Sequence, residues 1–272
     1  RVPVFLNNAL ATSRAIGVHI RDIITNPDKF KEALVTSYRI YGYDGIRISC
    51  DVTVEAEAMG GKATYPQDAG ASLVKNPVSS KEDFFKLRKP NPKKDGRMPL
   101  MLKTTELVRK EVGDGVYIAS SVMGPLNIAS QMVGVTNLML LIYDDPVYFE
   151  QLLDFASEIT VEYGTEMFKA GANTITMGEA MCSVSMIGPH HYKNFVQPRH
   201  KRVIDGFNSN GVKYHTYHIC GQLEPILEAV SDTGVASIDV DSPVDMIACR
   251  ERLGRKTTFI GNISPAELVR SS

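Results

Sequence analysis

The stretch "KYHTYHICGQ" gathers His215, His218 and Cys220, in a chain of 272 residues that has only six His and four Cys. Residues 212–220 read as a β-strand. Side chains alternate along a strand, so His218 and Cys220 share one face and His215 takes the other. An imidazole and a thiolate side by side suit zinc, which favours tetrahedral nitrogen and sulfur ligands. The same pair also fits a core cysteine beside a hydrogen-bonded histidine. Two ligands are not a catalytic zinc site, which normally has three protein ligands and an open position. Cys182, Glu179 and Asp239 are the local candidates for a third. Cys182 also reads as a small buried hydrophobe, and Cys249, inside a helical run, reads as packing.

A second concentration of reactive side chains is "CDVTVEAEAMGG" at residues 50–61. Asp51 ends an apolar strand, where an acid can orient a substrate or stabilise developing positive charge. Glu55 and Glu57 read as solvated charges, and Cys50 alternates away from Asp51 toward a helical layer. Glu179 ends the strand "ANTITMGE", where it either points at the mouth of a site or makes a structural salt bridge. His190 and His191 open a helix at Pro189. His200, among Arg and Lys on that helix, is expected at the surface.

The elements that must position these groups alternate. Strand-like runs fall at residues 2–7, 44–51, 116–124, 172–179, 212–220, 236–241 and 257–263. Helical patterns fall at 27–41, 126–142, 146–170, 189–207, 223–231 and 243–253. A last helix begins after Ser264. Asn26 and Ser264 are expected N-caps, each followed by Pro at the first helical position. An irregular stretch at 58–96, rich in Gly, Pro and Asn, reads as a functional insertion. Its "KPNPKKDGR" run reads as a solvated loop. Nothing is assigned between residue 97 and the strand at 116.

Alternating strands and helices imply parallel strands with right-handed crossovers. A doubly wound nucleotide-binding sheet favours a glycine-rich turn after its first strand, and "NNALATSRAIG" has none. Polar residues instead collect at strand ends, as in barrel enzymes. The expected fold is therefore an α/β TIM (β/α)8 barrel, a single domain over residues 1–272. Seven strands are visible. The eighth strand and its helix are expected beyond Ser272, and trimming is expected at both ends.

The formal net charge of −1 argues against a large nucleic-acid footprint, which needs a basic surface. No apolar run reaches the ~18 residues of a membrane span. Widely spaced cysteines point to free thiols or ligands in a reducing cytoplasm.

In order, "RVPVFL", "SCDVTVEAEAMGG", "GPLNIASQMVG", "GANTITMGEAMCS", "GPHHYKNFVQP", "HICG" and "FIGNISP" resemble the uroporphyrinogen decarboxylase superfamily over essentially the whole chain. The resemblance implies a TIM-type barrel and two possible chemistries. The decarboxylase branch, acting in porphyrin biosynthesis, carries a pair of arginines after its first strand. Here that region reads "LNNALATSRAIG", with Asn7 and Asn8 and with Arg14 off register. Asp51 does match the decarboxylase's central aspartate. The other branch holds the corrinoid-dependent methyltransferases, whose zinc motif is H-x-C followed by a distant Cys. "HIC" at His218 and Cys220 resembles its first part, and the distant Cys would lie beyond Ser272. That branch implies zinc-assisted methyl transfer, with the corrinoid (methylcobalamin) supplied by a partner protein. The other reactant is a small thiol or methylated substrate, and Asp51 and Glu179 orient it.

Overall fold

The computed structural model describes residues 1–270. Its strands are β1 (Gly45–Ile48), β2 (Lys62–Thr64), β3 (Ser72–Lys75), β4 (Tyr117–Met123), β5 (Thr174–Gly178), β6 (His215–Ile219), β7 (Ser237–Val240) and β8 (Thr258–Ile260). The main sheet has six strands in the order β1-β4-β5-β6-β7-β8. Pairing is parallel for β1 with β4, β6 with β7 and β7 with β8. A doubly wound sheet reverses its strand order at a switch point. This order rises without reversal, as in the wall of a β/α barrel.

The expected first strand is reduced to one parallel bridge, Phe5 to Gly45. The ladder gives way to a side chain there. Val4 N–H donates to Asp44 Oδ2 at 2.7 Å, and Asp44 N–H donates to Val4 O at 2.8 Å. The stretch at 58–96 is more regular than expected, because it contains the antiparallel hairpin β2–β3 and the helix Lys81–Lys86. The unassigned residues beyond it form the helix Met98–Val112.

Most predicted helices stand where the sequence placed them. Pro27–Tyr41 starts at Asn26, whose side chain accepts from the N–H groups of Asp28 and Lys29 at 3.0 and 3.1 Å. It ends at Gly42 with φ 64°, a left-handed C-cap that favours glycine. The predicted 126–142 helix is two, Pro125–Val133 and Val135–Asp144, separated by Gly134 at φ 87°. The helix opening at Pro189 passes through a π turn at Tyr192–Val196 before running on as Gln197–Ser209. Among the described residues no single helix is long and apolar enough to cross a membrane, and the split pair bends by 103°.

The chain divides into two compact units. The first comprises Arg1–Val122, Gln131–Gly134 and Val161–Ile175. Its core is built from Phe30, Leu34, Ile46, Ile48, Met98 and Ile118, all 1% exposed or less. The second comprises Met123–Ser130, Val135–Thr160 and Thr176–Ser272. Its core includes Val203, Phe207, Tyr217, Ile219 and Ile238.

Replacing Asn26 by Ala removes a cap that satisfies two otherwise orphaned N–H groups. A loss of about 1 kcal/mol is expected in a urea titration.

Candidate functional site

The strand pair β6/β7 has two unlike faces. Parallel register sets Thr216 against Ser237, Tyr217 against Ile238, His218 against Asp239 and Ile219 against Val240. The Tyr217/Ile238 face is apolar and buried. The other carries polar rungs. Thr216 Oγ1 lies 2.6 Å from Ser237 Oγ, and His218 Nδ1 lies 3.3 Å from Asp239 Oδ2. Just past the strand end, Gly221 N–H donates to Asp241 Oδ2 at 2.9 Å. Gly221 has φ +70°, which turns the chain immediately after Cys220.

Cys220 Sγ lies 3.5 Å from His218 Nε2. A tetrahedral zinc with bonds of about 2.3 Å to sulfur and about 2.0 Å to nitrogen separates those two ligand atoms by about 3.5 Å. The donor pair therefore fits one edge of a zinc tetrahedron. Asp239 beside Nδ1, and then Cys220 beside Nε2, push the imidazole up to about 10 against the opposing effect of burial. His215 takes the opposite face. It is buried, its Nδ1 accepts from Ala236 N–H at 3.1 Å, and its ring stacks on Phe207.

Asp51, in the first unit, is enclosed by an arginine that the sequence placed in a solvated loop. Arg97 is 8% exposed. It donates to Asp51 Oδ2 from one terminal nitrogen at 2.8 Å and to Oδ1 from the other at 2.7 Å. Its Nε donates to Glu57 Oε2 at 3.0 Å. Tyr65, from the segment after β2, covers the guanidinium at 5.0 Å and donates its hydroxyl to Glu57. Glu57, expected in solvent, is thus enclosed, and Glu55 is 3% exposed. Cys50, expected to face a helical layer, instead lies with its Sγ 3.2 Å from Asp51 Oδ2. Strict alternation fails because β1 ends at Ile48 and residues 49–52 are irregular.

Burial alone raises the Asp51 carboxyl. Arg97, helped by Thr53 and Cys50, outweighs it and holds the group at about 2.

Glu179 follows β5 in the second unit and is fully buried. Its Oε1 and Oε2 accept the Leu126 and Asn127 N–H groups at 3.1 Å each, at the N-terminus of Pro125–Val133. Oε1 also lies 2.9 Å from His200 Nε2. This is a carboxylate capping a helix that is remote in sequence, where the macrodipole favours negative charge. Gly124 makes room for it, since a Cβ there would sit 2.3 Å from Glu179 Oε1.

His200, expected at the surface, is fully buried. Its Nδ1 meets Tyr192 Oη at 3.0 Å, and its ring stacks on Tyr217 at 4.3 Å. The helical stripe Val196, His200, Val203, Ile204 and Phe207 carried the signal for this burial. Glu179, Cys182 and His200 form the grouping among the described residues whose ligand atoms lie close enough for a metal. Both carboxylate oxygens and both ring nitrogens already have partners. Burial and Glu179 hold the Cys182 thiol well above its ordinary range. We therefore read this cluster as a closed hydrogen-bond network. Glu179 is tied to the β6 pair through its backbone, where its N–H donates to His218 O at 2.8 Å.

The Asp51 shift has a direct consequence for acid stability. A carboxyl held at about 2 rather than 3.8 stabilises the fold by about 2 kcal/mol above about pH 4. That contribution is lost as pH falls from about 4 to about 2. Urea midpoints measured across this window should drop more steeply for the natural protein than for Asp51→Asn. Independently, Gly124→Ala should cost about 1–3 kcal/mol by overpacking against Glu179, read in the same titration.

Comparison with known proteins places this geometry in context. The uroporphyrinogen decarboxylase (URO-D) family model matches residues 1–272. A methylcobamide:CoM methyltransferase, MtaA, from Methanosarcina barkeri (strain Fusaro / DSM 804) is 28% identical over 247 residues, covering 88% of this chain and 70% of that protein. A uroporphyrinogen decarboxylase from Geobacter sulfurreducens is 25% identical over 253 residues, covering 91% of this chain and 72% of that protein. The solved structure of a methyltransferase from Methanosarcina mazei superimposes with a TM-score of 0.90 at 23% identity, covering 100% of this chain and 83% of that one. At that identity the likeness establishes the fold.

Proposed function

We propose that this chain, which belongs to the uroporphyrinogen decarboxylase family across residues 1–272, is a corrinoid-linked methyltransferase. It moves a methyl group between a corrinoid protein and a small thiol or methylated substrate, using zinc. The observation that carries this reading is the His218 Nε2 to Cys220 Sγ separation of 3.5 Å, the edge of a zinc tetrahedron. The relatives named as methylcobamide:CoM methyltransferases support the same branch.

His218 and Cys220 would hold the metal by giving up the protons on Nε2 and Sγ to it, so that binding releases protons. When bound, zinc supplies Lewis acidity that favours thiolate over thiol at neutral pH, or polarises the group carrying the methyl. Gly221 turns the backbone away directly after the ligand pair. Asp51 and Glu179 keep a place in this scheme as positioning residues. Arg97 holds both carboxylate oxygens of Asp51 within the first unit. Glu179 ties the end of β5 to β6 at His218 while capping the helix Pro125–Val133. The enclosure of Asp51 also counts against porphyrinogen decarboxylation, because its carboxylate oxygens are occupied by Arg97 and Thr53. Residues 6–17, which include Asn7 and Asn8, lack the arginine pair of that branch.

The test is made on the full-length protein. Metal analysis should find about one zinc per chain, and His218→Ala should lose it. Methylcobalamin, offered with a panel of small thiols, should yield a methylated thiol with the natural protein and none with His218→Ala. Uroporphyrinogen should yield no product. A metal-free natural protein, or ready decarboxylation, overturns the reading.

A further inference from the structure

We propose that Asp239 is a positioning residue for His218, fixing the tautomer and aim of the imidazole so that Nε2 presents its lone pair beside Cys220. This inference rests on the zinc reading above and adds to it a residue that touches neither metal nor substrate.

Parallel register places Asp239 directly opposite His218, so the two side chains rise from one face of adjacent strands. Asp239 Oδ2 lies 3.3 Å from Nδ1, whereas Cys220 Sγ lies 3.5 Å from Nε2, the other ring nitrogen. The carboxylate therefore stands behind the ring and the thiol in front of it. That placement removes Asp239 from the candidates for a third ligand. His218, Cys220 and Asp239 are not among the described groupings whose ligand atoms converge.

The contact to Nδ1 is a charge contact whose alignment falls short of a hydrogen bond. The Asp239 side chain is only 5% exposed and the His218 side chain 27%, so water screens the contact weakly. A carboxylate behind a ligating histidine orients the ring and makes the ligand more basic, and its loss typically costs 10–100-fold in metal affinity. Polar contacts flank the pair along the strands, Thr216–Ser237 on one side and Gly221–Asp241 on the other.

The experiment uses metal-depleted full-length protein, titrated with zinc against a chromophoric chelator. The natural protein, Asp239→Asn and Asp239→Ala are compared. Asp239→Asn keeps the shape and removes the charge, so it guards against misfolding of the Ala variant. Zinc Kd should rise about 10-fold for Asn and up to about 100-fold for Ala. With Co2+ in place of zinc, the thiolate-to-cobalt band should persist while the ligand-field bands shift, because Cys220 stays and the imidazole is re-aimed. Urea midpoints of the metal-free proteins separate affinity from folding. If the natural protein binds zinc and both variants match it within twofold, with unchanged Co2+ bands, the positioning role is overturned. A lower urea midpoint with unchanged Kd overturns it equally, since Asp239 is then only structural. If the natural protein binds no zinc, the underlying zinc reading is what fails.

Discussion

The site depends on the register between β6 and β7. Two parallel strands paired at His218 and Asp239 put every second residue on one face. The other residues, Tyr217, Ile219, Ile238 and Val240, enter the core. A slip of one residue would carry the histidine into the core and an aliphatic side chain to the site. Burying the apolar face thus holds the polar face in place. Tyr217 reinforces this by donating its hydroxyl to His200 O at 3.1 Å while its ring stacks on the imidazole.

Charge in this molecule is managed by enclosure. Arg97 is shared between Asp51 and Glu57 under the ring of Tyr65. Glu179 sits on the N-terminus of a helix and against His200. Buried carboxylates without such partners would be costly. With them, Asp51 and Glu179 are each held by several hydrogen bonds at the end of a strand. The His218–Cys220 pair differs. Its edge is spaced for a tetrahedral metal, and its carboxylate stands on the far ring nitrogen.

The branch of chemistry follows from what the site can hold. A decarboxylase of this family must grip a substrate with many carboxylates, and residues 6–17 lack the arginine pair that the resemblance implies for it. A thiol-handling methyltransferase needs a soft metal site, and the 3.5 Å separation of His218 Nε2 and Cys220 Sγ is the spacing that the proposed zinc would require. The strand order, rising from β1 to β8 without a switch point, puts such residues at strand ends, where barrel enzymes collect their chemistry.

Sequence by itself determined the alternating α/β pattern, all six strands of the main sheet, the Asn26 cap, and the same-face placement of His218 and Cys220 against His215. These are local properties, set by side-chain period and by capping and turn residues. Tertiary structure alone decided the partners. Arg97 lies 46 residues from Asp51, inside a run that reads as solvated, and no short-range pattern marks it as buried. Glu179 caps a helix 53 residues away. His200 looked exposed among Arg and Lys, although the stripe it shares with Val196, Val203 and Phe207 carried the signal for burial, and its partners Glu179 and Tyr217 come from other elements. Asp239 reads in the sequence as a candidate ligand, and the strand register puts its carboxylate beside Nδ1 of His218, the ring nitrogen away from Cys220. Local periodicity fixes which way a side chain points along its own element. What it meets there depends on distant chain segments brought together by packing.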